Sequence, residues 1–493
     1  MLRAGGGPEL LRNTKYAIVR FTRGKGLDIG IGPWKAFPHF IGVREKGDAE
    51  MPPKMEADFT VDSFSDISGV IEGEPLDFIF NWSGRAIMAQ CVRLLKVGGF
   101  YITADEDFKV IVRRKVDDET IEAVDQRANT VDGRKTVCVT RYGAIGDMLQ
   151  TASLLPELRR QGYFVVVNSH PDGEVILKED PNVDTFWVQD RDQVPNGELV
   201  AYWKWLVKQF DRHINLCESV EGTLLTYPDR SNYRWPQAVR HKYCNRNYLE
   251  FMAELGELPF HPEHHFYPSA AEQKWADDFM ARISRDMNKD TPPMGRGKTP
   301  FVVLWALSGS SVHKFWPHQD AIVARMMLEI PNIHVIFTGD EACQILEQGW
   351  ENEPRISCLS GRVDLRRALT LAKMSQLVIG PETGTLNAVA FESMAKIVML
   401  SHSSHENLTR DWVNTEALHS HITPCYPCHR MHVTHEFCPQ DEETGAAMCQ
   451  VELLPADVWD AVQRAYVGWG TVRSLLGKTQ APDLPAVQLE LPK

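Results

Sequence analysis

Short apolar runs recur along this chain, most of them closed by a glycine-bearing turn and followed by residues at helical spacing. The stretch LVIGPETGTLNAVAF, Leu377 to Phe391, shows the unit most clearly. Leu377, Val378 and Ile379 read as a strand that Gly380 and Pro381 stop. Glu382 to Gly384 make a turn, and Thr385 to Phe391 reads as a helix with Leu386, Val389 and Ala390 on one face. Similar openings stand at Asp28 in KGLDIGIGP, at Arg141 in KTVCVTRYGAIGDMLQTASLLPELRRQG and at Ser308 in FVVLWALSGSS. Further strand-type runs are His39–Val43, Leu76–Phe80, Phe164–Val167, Phe186–Val188, His334–Gly339 and Lys396–Leu400. The segment Arg93–Thr103 reads as a helix end, a Gly-Gly turn and a strand. Helices are predicted over Asp117–Lys135, Trp203–Phe210, Tyr248–Leu255, Ala270–Arg285, Asp364–Met374 and residues 455–467. Strands alternating with helices predict largely parallel sheets.

The pattern divides into three Rossmann-like α/β domains with parallel sheets: residues 1–132, 133–290 and 299–468, followed by an extended, Pro-rich tail at 469–493. A break at Gly133 and the polar linker RDMNKDTPPMGRGKTP (Arg285–Pro300) set the boundaries. The length of 493 residues suits about three domains. A hydrophobic content of 43% and a charged content of 24% are those of a globular protein. The formal charge, 53 − 66 = −13, gives no general attraction for nucleic acid or anionic membrane, so neither is an expected partner. No run approaches the ~18 apolar residues of a membrane span. The opening MLRAGGGPELLRN lacks the apolar run of a secretory signal, and ten cysteines are too dilute for a disulfide scaffold, so a cytoplasmic setting is expected.

Three constellations carry possible chemistry. In RYGAIGDML, Asp147 stands near a helix start just beyond a strand, where a carboxylate can act as a general base; followed by Gln150, it also reads as a capping box. In LSGSSVHKFWP, Ser308 to Ser311 offer amides and hydroxyls and Lys314 offers a point charge for a phosphate; a plain polar loop reads equally well. At Glu382–Thr385 a helix N-terminus can hold an anion, or Thr383 can simply cap it. Separately, Cys425 and Cys428 with Cys438 and Cys449, near His429, His432 and His435, fit a structural zinc site, buried thiols or a labile disulfide.

From about residue 135 to 465 the chain resembles glycosyltransferase family nine, whose members include ADP-heptose:lipopolysaccharide heptosyltransferases. The resemblance rests on the order and spacing of GAIGDMLQTASLLPELRRQG, SGSSVHKFWP, LSGRVDLRRALTLAKMSQLVIGPETGTLNAVA and the late PCHR with its trailing cysteines. It implies that the second and third domains form a glycosyltransferase-B pair. The implied reaction is metal-independent, inverting transfer of a sugar from a nucleotide-diphosphate donor to a hydroxyl of a glycan or other acceptor. Carried onto this sequence, Asp147 becomes the base. Lys314, Ser310 and the amides around Thr383, Gly384 and Thr385 hold the diphosphate, and Glu382 and Asn387 lie by the donor sugar, with no metal ligand. The family usually has Asp where Glu382 stands and His where Asn387 stands, which leaves the sugar open. The loop SHSSHENLTRDW, with His402, His405 and Asn407, is where the nucleoside is expected.

The first domain resembles the class I S-adenosylmethionine-dependent methyltransferases, with Asp28, Gly30 and Gly32 matching their glycine-rich cofactor motif. An acidic residue normally ends the second strand of that family; here Arg44 follows Val43, with Glu45 one place late. The expectation is a glycosyltransferase that needs no cofactor, joined to a degenerate methyltransferase-like domain. The alternatives are a scaffold that keeps both folds without turnover and an active S-adenosylmethionine-dependent methyltransferase.

Overall fold

The structure, a computed structural model, describes residues 8–30, 36–46, 57–64, 67, 74–83, 86–105, 109–118, 120–124, 133–290 and 299–475. Gly32, the middle of the expected linker and the tail beyond Leu475 lie outside the described residues. The architecture is α/β, with three sheets dominated by parallel pairing and flanked by helices. The chain divides into two compact units. One comprises Met1–Thr140, Leu158–Glu174 and Val183–Asn215; the other comprises Arg141–Glu157, Val175–Asn182 and Leu216–Lys493. Among the described residues no helix is long and apolar enough to cross a membrane.

The first unit holds two sheets. In the larger, β1 (Gly26–Ile29), β2 (Ile41–Glu45), β3 (Phe59–Val61), β4 (Leu76–Asn81), β5 (Leu95–Ala104), β6 (Val110–Lys115) and β7 (Ile121–Ala123) lie in the order β3-β2-β1-β4-β5-β6-β7. Its first five strands pair in parallel, and β6 and β7 add antiparallel steps at one edge. The smaller sheet, β8 (Thr136–Thr140), β9 (Phe164–Ser169), β10 (Thr185–Val188) and β11 (Arg212–Asn215), is wholly parallel in the order β10-β9-β8-β11. The two sheets share one aromatic core. Phe37, Phe40, Phe78, Phe80 and Trp82 from the first meet Cys138, Phe164, Val166, Trp187 and Tyr202 from the second. Polar ties reinforce it: Gln193 donates to the carbonyls of Val19 at 2.7 Å and Thr22 at 3.0 Å, and Lys15 pairs with Glu198 at 2.9 Å.

The second unit is built on one parallel sheet: β12 (Phe301–Ala306), β13 (Ile333–Thr338), β14 (Ile356–Cys358), β15 (Leu377–Pro381), β16 (Ala395–Met399) and β17 (Thr415–Leu418), in the order β14-β13-β12-β15-β16-β17. FVVLWA and LVIGP are buried along their whole length, as continuous apolar runs should be when helices cover both faces of a sheet. This strand order reverses direction between β12 and β15, which pair directly through Val303–Leu377 to Trp305–Ile379. Such a reversal opens a crevice beyond the strand ends, the usual ligand position in an open α/β sheet.

Several elements depart from the expected pattern. The charged run Asp117–Lys135 is no helix over its described part. It contains β7, whose Ile121 pairs with Lys115 of β6. Leu95–Ala104 is one strand, with Gly98 at φ +89° inside it rather than a turn before it. The helix expected over Trp203–Phe210 runs from Asn196 to Val207, opening directly after Pro195, whose ring favours a helix start. The helix expected over Thr385–Phe391 is five residues, Gly384–Ala388, because the Ala390 carbonyl is taken by the Val413 N–H. The last helix runs from Pro455 to Leu475, beyond residue 467, since Trp469 packs on Phe301 with ring centroids 5.1 Å apart.

Candidate active site

Two loops leave the sheet of the second unit at its reversal point. After β12 the chain bends at Ser308, bridges back at Phe315 and carries Lys314 along the return. After β15 come Glu382, Thr383 and the helix Gly384–Ala388. A third segment, the helix Ile145–Thr151 with Asp147 near its start, packs against that short helix. The packing needs Gly384: a Cβ there would lie 2.5 Å from the Ile145 Cγ2. Gln150 and Asn387 complete the contact, the Gln150 amide donating to Asn387 Oδ1 at 3.2 Å. Asn387 in turn donates to the Thr383 carbonyl at 2.9 Å, so it braces the turn.

Lys314 is 9% exposed, and its ammonium makes no hydrogen bond or ion pair among the described residues. Burial pulls its pKa down from the ordinary lysine value, with Glu382 and Asp147 opposing that shift. A buried cation with carboxylates nearby but no direct partner has room to receive an anion. The helix start beside it is likewise open. Thr383 stands at the N-cap position, yet its hydroxyl makes no cap hydrogen bond and is buried without a partner. The N–H groups of Gly384 and Thr385 find no backbone acceptor among the described residues. Ser310, at the tip of the β12 loop, is exposed.

Glu382 is 4% exposed and turned into the protein. Its Oε1 accepts from the N–H groups of Ser401 at 2.8 Å and Ser403 at 3.1 Å, and its Oε2 pairs with His402 Nδ1. Burial works to raise its pKa; His402, Lys314 and the Ser401 N–H outweigh that and hold the carboxyl below the usual range. Glu382 therefore fixes the loop Ser401–Ser403 at the end of β16. In that loop the residues expected near a nucleoside divide by burial. Asn407 is inside, donating to the carbonyls of Cys244 at 3.2 Å and Arg246 at 2.7 Å, while His405 bonds the Thr409 hydroxyl at 3.0 Å.

Asp147 is the third residue of its helix, and Ala144 holds the cap position. Its Oδ2 accepts the Ala144 N–H at 2.9 Å, so the cap runs backward from Asp147 instead of forward to Gln150. The other oxygen, Oδ1, lies 2.6 Å from Arg141 Nη2. Arg141 follows β8 in sequence, is 1% exposed and also pairs with Glu221 at 2.7 Å and with the Leu216 carbonyl at 3.2 Å. Burial works against its charge; Asp147 and Glu221 outweigh that and keep the guanidinium ionised. Sequence reading missed both partners. Arg141 was visible as a charge at a strand end, whereas Glu221 carries no local signal and is found only by contact.

The histidine and cysteine cluster is buried. His313 packs tilted against His402 and edge-on to His432, with ring centroids 4.9 and 5.4 Å away, and neither of its ring nitrogens has a partner among the described residues. Cys428 lies 3.6 Å from His432 Nε2, and burial pushes its thiol up to about 12. None of the ten cysteines is in a disulfide, and among the described residues no three His, Cys, Asp or Glu converge as a metal-holding group. In the first unit, Asp28 is fully buried and its carboxylate accepts the Ala36 N–H at 2.7 Å.

No family model matches the chain, and no curated protein matches it. Among solved structures it is similar to a glycosyl transferase family 9 protein from Veillonella parvula DSM 2008, at 13% identity over 68% of this chain and 97% of that one, with a TM-score of 0.46. A second is the E. coli ADP-heptose lipopolysaccharide heptosyltransferase II, at 12% identity over 68% and 99% with a TM-score of 0.46. A third is the iron-containing dodecameric glycosyltransferase TibC from enterotoxigenic E. coli H10407, at 11% identity over 73% and 86% with a TM-score of 0.42. At these identities and TM-scores no residue role, ligand or partner carries over to this chain.

Proposed function

We propose that the second unit transfers a sugar from a nucleotide-diphosphate donor, ADP-heptose-like in class, to an acceptor hydroxyl, with inversion and without metal or S-adenosylmethionine. The observation that supports this reading most is Lys314, 9% exposed and without an ion pair among the described residues, beside the uncapped helix start at Thr383–Thr385, both at the reversal point of the sheet. An acidic protein that binds a diphosphate needs such a local positive site. The family resemblance of the motifs supplies the donor class. In the reaction, the acceptor O–H proton passes to Asp147 as the acceptor oxygen bonds the anomeric carbon. The bond from that carbon to the phosphate oxygen breaks, and its electron pair leaves with the nucleoside diphosphate. Lys314 and the N–H groups of Gly384 and Thr385 stabilise that leaving charge. Glu382 acts through the Ser401–Ser403 loop. Asn387 braces the turn.

One observation favours the binding-only alternative: both oxygens of Asp147 are engaged, by Arg141 and by the Ala144 N–H. Two measurements separate the readings. Nucleoside diphosphate is titrated into the wild type, into Lys314→Ala and into the wild type with chelator; then nucleotide-sugar turnover is assayed. Loss of the charge-assisted contact should weaken binding by roughly ten- to a hundredfold in Lys314→Ala, and chelator should change nothing. Equal affinity in the variant places the anion elsewhere. Binding without any turnover leaves a scaffold.

A further inference from the structure

Asp147 shares its arginine. The Arg141 guanidinium gives one nitrogen, Nη2, to Asp147 at 2.6 Å and another, Nη1, to Glu221 at 2.7 Å. The remaining nitrogen, Nε, is buried without a partner. Glu221 comes from a separate short helix, Ser219–Thr223, so its contact is a product of the fold and not of local sequence. A lone buried guanidinium against Asp147 would bind the carboxylate firmly and drain its basicity. Two carboxylates share the one guanidinium, so Arg141 is not committed to Asp147 alone.

We infer that Glu221 is a positioning residue for Asp147: it takes a share of the Arg141 charge, so that Arg141 aims Asp147 without quenching it as a base. The functional half of this inference rests on Asp147 being the base; the electrostatic half does not. Other groups face Asp147 from the elements packed around it. Lys314 lies on the β12 loop, Tyr227 follows the Glu221 helix, and Tyr248 opens the helix Tyr248–Leu255. Both tyrosines are held neutral, Tyr227 by burial up to about 12 and Tyr248 well above its ordinary value, so neither supplies charge. Cys217 lies beside Arg141, and burial likewise pushes its thiol up to about 12. Glu382, which precedes the helix packed against the Asp147 helix, is paired with His402. Arg230, which follows the Glu221 helix and faces Glu221, is paired with Glu218.

The test reads the proton directly. The full chain is labelled with carboxyl-¹³C aspartate, the Asp147 resonance is assigned by its loss in Asp147→Asn, and the signal is titrated in the wild type, Glu221→Gln and Glu221→Asp. Glu221→Gln keeps the shape and removes the charge, so the Asp147 signal should titrate at lower pH in this variant than in the wild type. Glu221→Asp keeps the charge and should stay near the wild type. An unmoved midpoint in a folded Glu221→Gln overturns the inference, whether or not the protein proves to be an enzyme. If transfer is found, the acid limb of its kcat/KM profile should move down by the same amount in Glu221→Gln. A limb that stays fixed while the ¹³C midpoint moves counts against Asp147 as the base and leaves the charge sharing intact.

Discussion

The first and third sheets reverse their strand order in the same way, between β1 and β4 in one and between β12 and β15 in the other, yet the chain treats the two reversal points oppositely. At the end of β1 the described residues pack closely and are satisfied. Gly30, at φ +75°, lies so near Ser83 that a Cβ there would fall 2.7 Å from the Ser83 Cα, and the Asp28 carboxylate is used by the Ala36 N–H. Beyond β12 and β15, among the described residues, the Lys314 ammonium has no ion pair, the Thr383 hydroxyl has no partner and the N–H groups of Gly384 and Thr385 have no backbone acceptor. A strand, a glycine turn and an acidic or basic residue are common to both places. What separates a structural turn from a site is whether buried polar groups are already satisfied, since an unsatisfied one costs ~1–3 kcal/mol unless a ligand completes it.

Acid offers the largest expected contrast between the units. In the second unit, burial keeps His264 and His429 neutral down to about 3 and His334 and His432 down to about 4, and holds His313 well below its ordinary value. In the first unit His213 behaves similarly, down to about 4, and His39 is lowered. The folded values lie below the unfolded value of 6.5, so between the two the unfolded chain binds more protons and stability falls as pH falls. At pH 5 each such histidine forfeits up to about 2 kcal/mol. Hydrogen-exchange protection, corrected for the intrinsic pH dependence of exchange, should therefore fall in the second unit before the first between about pH 7 and pH 5. Simultaneous loss would show that the units do not melt separately.

Catalysis gives the next contrast. Asp147→Asn should lower turnover by roughly 10²–10⁴-fold with donor affinity nearly unchanged, whereas Asp28→Asn should leave turnover intact. Steady-state kinetics with donor titration decides it, and retained turnover in Asp147→Asn would reduce that residue to a helix-start contact. The smallest effect concerns packing. Gly384→Ala places a methyl 2.5 Å from the Ile145 side chain and should cost about 1–3 kcal/mol in denaturant unfolding. A neutral result would mean that the Asp147 helix can move off the Gly384 helix without loss.

Much of this was legible in the sequence. Continuous apolar runs such as FVVLWA and LVIGP marked the central strands, because full burial on both faces leaves no alternation to hide them. The edge of the first sheet was not legible: β6, with Arg113, Arg114 and Lys115, gave no strand signal, and β7 lies inside the charged run Asp117–Lys135 that reads as a helix until pairing is known. Asp147, Lys314 and Glu382 were visible at strand ends and turns, where the fold gathers ligand groups. Their partners were not legible: Glu382 spends its carboxylate on Ser401, His402 and Ser403, and Asp147 on Arg141 and the Ala144 N–H. Glu221 could not be found at all, for its importance lies wholly in a contact with Arg141, eighty positions earlier in the chain.

The shared aromatic core of the first unit has a bearing on how this molecule can be taken apart. The motifs that resemble a glycosyltransferase all lie beyond residue 133, which invites excision of the preceding segment as a spare module. The packing forbids it. Cys138, Phe164, Val166 and Trp187 rest on Phe78, Phe80 and Trp82, so a chain begun at 133 would present that greasy face to water and aggregate or seek a substitute cover. Whatever chemistry the leading segment has lost or kept, it serves as the other half of an indivisible hydrophobic seam, and loss of its motifs need not bring loss of its presence.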